Sequence, residues 1–190
     1  MHLNVRERGN HVATFRWIEV RLMETLARWV PTTPETEVKL VFGEHIWDCA
    51  QHADWLGKRT HELRLPLQYS LEPSRDYVAF LTELAATGDT SQRVAGFYDC
   101  VLPALERRFR AYLDDVDQLL DGPTVRILER ILFDVERMKR AGQALREQVP
   151  AIAAVDAAWL EAMRRRESVL VDVVVSRPAA GTASAAAAPA

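Results

Sequence analysis

The stretch from Thr33 to Leu65 constrains the fold of this 190-residue chain more than any other. It reads TPETEVKLVFGEHIWDCAQHADWLGKRTHELRL and has no proline after its second residue. It therefore predicts one helix, roughly 45 Å long at about 1.5 Å per residue. A helix of this length needs equally long partners to bury its apolar face, as in a helical bundle. That face consists of Val38, Phe42, Ile46, Cys49, Ala53, Leu56 and Leu63.

Three more long helices are predicted by apolar residues at helical spacing. Asn10 is the predicted N-cap of the first of them. Pro103 predicts a kink in the third, near residues 99–103. Gly142 lies on the inward face of the fourth, which predicts a bulky side chain close to its backbone. The predicted ranges are about 11–30, 91–120 and 124–149.

The lengths of the connections favour one topology. Short links join the first helix to the second and the third to the fourth, so each pair should be antiparallel. A long crossover with a short helix at about 75–86 joins the second helix to the third. The sequence therefore predicts an all-α, ferritin-like four-helix bundle with a long crossover, followed by a C-terminal helix at about 151–168. An up-and-down bundle with short loops is the alternative.

Composition predicts the extent of the folded domain and the kinds of partner and compartment. We expect residues 1–170 to form a single helical-bundle domain and residues 171–190 to form a flexible Ala/Pro-rich tail, with 169–175 a short strand or an extension of the last helix. A net charge of −3 gives no general attraction to nucleic acid or to anionic membranes. The two cysteines cannot form a disulfide framework, and the first residues lack an apolar secretory core. These features predict a cytoplasmic protein with neither nucleic acid nor membrane as partner.

Residue types that bind metals or transfer protons cluster midway along the second helix. His45 and His52 lie one heptad apart beside the apolar face, and Asp48 lies at its edge. Glu19 falls within the apolar stripe of the first helix, where a carboxylate is costly unless it is paired. Glu19, His45, Asp48 and His52 are therefore candidate ligands for iron, manganese or zinc. The alternative is a structural set of Glu–His or Asp–His pairs, for which no cofactor is expected.

The third and fourth helices offer few further ligands. The Tyr98 hydroxyl is the inward polar group of the third helix, and Asp134 lies at the border of the inner face of the fourth. A small-molecule pocket without metal is a further hypothesis, with aromatic side chains as its walls. The candidate pocket residues are Trp47, Cys49, Trp55, Tyr98, Asp134 and Met138.

Two segments of the chain resemble a known superfamily. The segments WIEVRLMETLARWVPTTPETEVKLVFGEHIWDCAQHADWLGKRTHELR and DGPTVRILERILFDVE are similar to uncharacterised bacterial proteins of the ferritin-like superfamily. The resemblance covers roughly residues 12–149. It implies a ferritin-like bundle, whose typical members are iron stores, ferroxidases or di-iron oxygenases.

The resemblance also implies where di-iron ligands would lie. On the second helix the family motif matches Cys49-x-x-His52, with Cys in place of Glu, and on the fourth it matches Val135-x-x-Met138. Only Glu19 and His52 agree with the family pattern. The resemblance therefore implies a degenerate ligand set rather than an ordinary di-iron centre.

Three functions follow as hypotheses. The first is a binding or assembly protein whose partner is another protein or a second copy of itself. The second is a metal-dependent oxidoreductase with an atypical Glu/His/Asp site. The third is a metal-free bundle that binds a small molecule. The sequence does not decide whether the protein is an enzyme.

Overall fold

The computed structural model describes residues 3–175, which contain helices and no strand. The all-α prediction is therefore confirmed for this part of the chain. The α-helices are α1 (Val5–Trp29), α2 (Thr36–Glu62), α3 (Arg75–Ala85), α4 (Thr90–Ala95), α5 (Leu102–Asp115), α6 (Gly122–Gln148) and α7 (Ala157–Ser168). Within residues 3–175, no helix is both long enough and apolar enough to cross a membrane.

Helices α1, α2, α5 and α6 surround the core. Helix α1 packs along α2, α2 packs along α6, and α6 packs along α5. The contacts between α2 and α6 run in opposite chain directions, because Asp48 meets Arg137 whereas Arg59 meets Thr124. Helix α3 lies in the long connection after α2. Large side chains of the core include Trp29, Phe15, Phe42, Phe97, Phe109, Leu56 and Leu128.

The first helix begins at Val5, so the prediction of a start near His11 with Asn10 as N-cap is wrong. Asn4 is the N-cap, and its side chain accepts hydrogen bonds from the backbone N–H groups of Arg6 and Glu7, both at 3.0 Å. The Glu7 carboxylate accepts from the Asn4 N–H at 2.7 Å. This reciprocal capping box satisfies the free N–H groups of the first turn and fixes the start of the helix.

A π-helical turn lies where a kink was predicted, just before Pro103. Residues Gly96–Val101 form this turn and join α4 to α5 without a break. Pro103 has no N–H to donate to the Asp99 carbonyl. That carbonyl instead accepts a long hydrogen bond, 3.4 Å, from Arg164 Nε. The predicted third helix also ends at Asp115 rather than near Leu120.

The end of the described chain is neither strand nor helix. Residues 169–175, which we call the C-terminal segment, follow α7 without regular secondary structure. Val173 is buried, and its carbonyl accepts a hydrogen bond from the Ser74 N–H at 3.0 Å. Arg108 donates to the Leu170 carbonyl at 2.7 Å. These contacts attach the C-terminal segment to the bundle, while residues 176–190 of the predicted tail lie outside the described part.

The prediction of a bulky neighbour at Gly142 is confirmed, because a Cβ atom there would collide with the ring of Tyr98. We expect Gly142→Ala to lower the free energy of unfolding by about 1–3 kcal/mol, since the ring or the helix must shift. Urea denaturation measures the change. Gly122→Ala is the control, because Gly122 lies at the start of the same helix and a Cβ there meets no atom within 4 Å, so this change should stabilise by about 0.4–1 kcal/mol. Equal stabilisation by both substitutions would contradict the close contact.

Candidate functional site

A buried carboxylate meets a buried imidazole where α1 packs on α2. The Glu19 and His52 side chains are each 1% exposed, and Glu19 Oε2 lies 3.3 Å from His52 Nδ1. Both residues belong to predominantly apolar faces, with Ile18 and Leu22 beside Glu19 and Leu56 one turn after His52. Because Glu19 and His52 lie on the inward faces of α1 and α2, two titratable groups meet where they are shielded from water.

The opposite edge of the imidazole contacts α6. His52 Nε2 lies 3.3 Å from Asp134 Oδ2, within hydrogen-bonding distance. Asp134 is partly exposed, with 16% of its side chain accessible. His52 therefore connects an interior carboxylate on α1 to a carboxylate near the surface on α6.

Further charged side chains continue this series of contacts through the partly exposed Arg137 and then to the buried His45. Arg137 Nη2 donates to Asp134 Oδ1 at 3.0 Å and to Asp48 Oδ1 at 2.7 Å. Asp48 Oδ2 lies 3.6 Å from Nδ1 of the fully buried His45. Acidic and basic groups alternate along this series, so each carboxylate has a cationic or imidazole neighbour. We call these six side chains the polar network: Glu19, His52, Asp134, Arg137, Asp48 and His45.

The neighbours of His52 change its protonation. Burial by itself would lower the pKa of His52, but the charge of Glu19 and the hydrogen bond to Asp134 outweigh it and raise this pKa to about 9. The hydrogen bond to His52 lowers the pKa of Asp134, against the effect of burial. Burial raises the pKa of Asp48, but hydrogen bonds to His45 and Arg137 outweigh burial and lower it overall. At neutral pH His52 is thus an imidazolium between carboxylates.

This shift predicts a pH-dependent stability. Because the folded-state pKa of His52, about 9, exceeds the ordinary value of 6.5, the stabilisation is fully present below pH 6.5 and is lost as the pH rises through 9. We expect the difference in unfolding free energy between the wild type and His52→Leu to decrease across that window. Urea denaturation at a series of pH values measures it. The exposed His61→Leu serves as control, and a difference independent of pH at position 52 would contradict the ion pair.

The candidate metal ligands do not converge on one point. Glu19 and Asp134 approach opposite nitrogens of His52, so the imidazole separates the two carboxylates. His45 adjoins Asp48 instead. Among residues 3–175, no group of three or more His, Cys, Asp or Glu side chains is arranged to hold a metal ion. Within residues 3–175, the four candidate ligands for iron, manganese or zinc are therefore not brought together at one point.

The candidate pocket residues lie in different parts of the described structure. Tyr98 and Met138 are buried, and the Tyr98 ring centroid lies 5.8 Å from that of His45. Trp55 packs against His52 with ring centroids 5.8 Å apart. Trp47 lies on the outer surface of α2, where 66% of it is exposed. The three predicted aromatic walls thus belong to three different environments.

Burial also suppresses ionisation of the two remaining interior groups. It raises the pKa of Cys49 well above its ordinary value, and Glu19 raises it further. Burial likewise raises the pKa of Tyr98. Neither the thiol nor the phenol is therefore activated as a nucleophile or a base at neutral pH. Cys49 and Tyr98 therefore contribute to the packing of the core rather than to acid–base or nucleophilic chemistry.

Sequence reasoning missed two polar features. Arg137 links Asp134 to Asp48, and its position three residues after Asp134 on one helix was the available signal. A second buried group lies at the end of the bundle, where Arg59 donates to Asp121 Oδ1 and to Thr124 Oγ1, both at 2.8 Å. The Tyr112 hydroxyl donates to Asp121 Oδ2 at 2.6 Å. The sequence predicted only a short link between the third and fourth helices there.

Comparisons of this chain with protein-family models, with curated proteins and with solved structures give no match. The ferritin-like resemblance therefore stays a prediction. Function has to be inferred from the polar network and from the exposed side chains.

Proposed function

We propose that this chain is a cytoplasmic assembly protein, a ferritin-like bundle without a di-iron centre, that pairs with a second copy of itself through the outer face of α2. On this proposal the polar network is structural. The separation of Glu19 from Asp134 by His52 supports a structural role over the alternative of an atypical metal-dependent oxidoreductase. The free, buried Cys49 and Cys100 fit a reducing compartment.

One observation carries this proposal, an apolar patch on the outer side of α2. Leu40 and Trp47 are each 66% exposed and lie seven residues apart, on the same helical face. Gly43 lies between them, and a Cβ at that position would meet no atom of this chain within 4 Å. Exposed large apolar side chains grouped in this way mark protein interaction sites. We call Leu40, Gly43, Glu44 and Trp47 the α2 face.

The spacing of the α2 face favours a second copy as partner. If two α2 helices cross in antiparallel fashion about a two-fold axis between Gly43 and Glu44, Leu40 of one copy lies opposite Trp47 of the other. The missing side chain at Gly43 lets the two backbones approach closely. A glycine in a helix interior destabilises the helix by about 0.5–1 kcal/mol relative to alanine. Closer packing of two copies at Gly43 would offset this loss.

Neighbouring groups can extend the contact. Phe133 on the adjacent α6 is 67% exposed. Arg137 and Asp48 line an open depression together with the α2 face. Both α2 and α6 have 27 residues, enough length to supply the roughly 800 Å² per partner that stable interfaces bury.

Sedimentation velocity over a range of protein concentrations tests the proposal. We expect the wild type to form a dimer and Trp47→Glu to be monomeric, because a carboxylate would be buried at the centre of the interface. Leu40→Glu should have the same effect. Near-native circular dichroism of both variants would show that the bundle itself is intact.

Leu119→Glu is the matched control, because Leu119 is an equally apolar side chain, 89% exposed, in the connection between α5 and α6. We expect this variant to remain dimeric. A wild type that is monomeric up to its solubility limit would contradict self-association. A dimer unaffected by Trp47→Glu and Leu40→Glu would contradict the α2 face as the interface.

A further inference from the structure

A cavity lies beside the C-terminal segment, away from the α2 face. It measures about 280 Å³ and lies among α1, α5, the end of α7 and the C-terminal segment; within residues 3–175, no residue of α2 or α6 lines it. This volume is just below the usual range for small-molecule sites, about 300–1,000 Å³, so the cavity favours a small ligand. Its apolar lining includes Leu3, Ala104, Leu170, Val171 and Val173.

Three aromatic side chains form one wall of this cavity, namely His11, Phe15 and Tyr112. The His11 ring centroid lies 5.3 Å from that of Tyr112 and 6.0 Å from that of Phe15. The rings of Phe15 and Tyr112 meet edge to face, with centroids 5.8 Å apart. Aromatic pairs with such distances and angles attract each other beyond the effect of burial alone. A ligand ring placed against this wall can therefore form a further pair of the same kind.

The interior of the cavity carries no net charge. Arg108, 9% exposed, forms an ion pair with Glu167, 4% exposed, so the two buried charges cancel. Arg107 also contacts Glu167, but 61% of its side chain is exposed to solvent. Asp115 and Asp172 are exposed at the margin of the cavity. Because a buried charge is costly without a free partner, the cavity favours an uncharged ligand.

His11 is the polar group that this wall offers to an uncharged ligand. Within residues 3–175, its imidazole has ring contacts and no hydrogen-bond partner. Burial lowers the pKa of His11 and outweighs the charges of Asp172, Asp115 and Glu7, which raise it. At neutral pH the imidazole is therefore mainly uncharged, with one nitrogen that accepts a hydrogen bond. An acceptor nitrogen beside aromatic rings suits a ligand that carries a hydroxyl group on a ring.

We propose that this cavity binds a small uncharged phenol of one or two rings. The ligand hydroxyl donates a hydrogen bond to the unprotonated nitrogen of His11, and the ligand ring packs against the aromatic wall. A methyl ether of the same shape has no hydrogen to donate, so the site distinguishes the phenol from its ether. The site does not depend on self-association, because no residue of the α2 face lines the cavity.

Isothermal titration calorimetry with 4-ethylphenol tests this site on the full chain at neutral pH. We expect one 4-ethylphenol per chain, and we expect its methyl ether, 4-ethylanisole, to bind about tenfold more weakly. The charged analogues 4-ethylbenzoate and 4-ethylbenzylamine should also bind at least about tenfold more weakly, because the interior has no free counter-charge for them.

His11→Phe separates the hydrogen bond from the packing of the wall. It keeps an aromatic ring at this position and removes both nitrogens. We expect it to weaken binding of 4-ethylphenol about tenfold and to leave binding of 4-ethylanisole unchanged, because only the phenol uses the imidazole. His61→Phe is the matched control, since His61 is exposed on α2 outside the cavity, and it should bind both ligands as the wild type does. Equal weakening of both ligands by His11→Phe would overturn the hydrogen bond.

Ala111→Trp provides a second, independent variant. Ala111 is exposed at the margin of the cavity, so an indole there blocks the cavity without removing either member of the Arg108–Glu167 ion pair. We expect loss of 4-ethylphenol binding without loss of thermal stability. The proposal is overturned if 4-ethylphenol does not bind to the wild type at millimolar concentration. It is also overturned if Ala111→Trp binds normally, or if the ether or either charged analogue binds as tightly as the phenol.

Discussion

Asp121→Ala is expected to lower the free energy of unfolding by about 3–5 kcal/mol, one of the two largest effects we predict. Asp121 is fully buried and is the only carboxylate that contacts Arg59, Thr124 and Tyr112 together within residues 3–175. Its loss leaves the Arg59 guanidinium buried without its closest interior counter-charge. The partly exposed contact of Arg59 with Glu62 remains and compensates little. Urea denaturation at neutral pH measures the change.

Asp114→Ala is the control for this prediction. Asp114 lies on α5 near the same end of the bundle but is exposed, so its removal should change the unfolding free energy by no more than about 0.5 kcal/mol. If Asp121→Ala cost as little as Asp114→Ala, the buried ion pair would not hold this end of the bundle together.

His52→Leu is expected to destabilise the protein by a similar amount, about 3–5 kcal/mol. Both oxygens of Glu19 are buried without a hydrogen bond, so the charge of His52 is the main compensation for this carboxylate. The double variant Glu19→Leu/His52→Leu removes the acid together with its partner. We expect it to recover most of the loss, because apolar side chains often replace a buried ion pair without net cost.

The double-mutant cycle separates this pair from simple packing defects. Glu19→Leu alone leaves His52 in contact with Asp134, which is partly exposed, so it should cost less than His52→Leu. Unfolding free energies of all four proteins, measured at one pH below 6.5, give the coupling. Additive losses in the double variant would show that Glu19 and His52 do not depend on each other.

The all-α class and the positions of the long helices were largely predictable, because these helices carry regular apolar stripes. Burial of Glu19 and the approach of a bulky group to Gly142 followed from their positions on those stripes. Helix ends were less predictable, since they depend on local caps. Asn4 and Asn10 are both of a residue type that caps helices. The reciprocal hydrogen bonds between Asn4 and Glu7 make Asn4 the N-cap.

The polar contacts were harder to predict because they join residues far apart in the chain. Asp121 follows α5 in a turn-forming sequence, and its burial depends on Arg59, which lies 62 residues earlier. Likewise, Asp134 at the helix border becomes part of the polar network only because α6 packs antiparallel to α2. A helical wheel gives the face of a residue but not which residue on a neighbouring helix it will meet.

The attachment of the C-terminal segment makes one amide a reporter of local opening. The Ser74 N–H is protected only while Val173 stays in place, whereas the nearby Leu71 N–H donates to the Ala13 carbonyl of α1 at 3.1 Å. Segments held by few contacts open without global unfolding. Hydrogen exchange at Ser74 should therefore be faster than at Leu71.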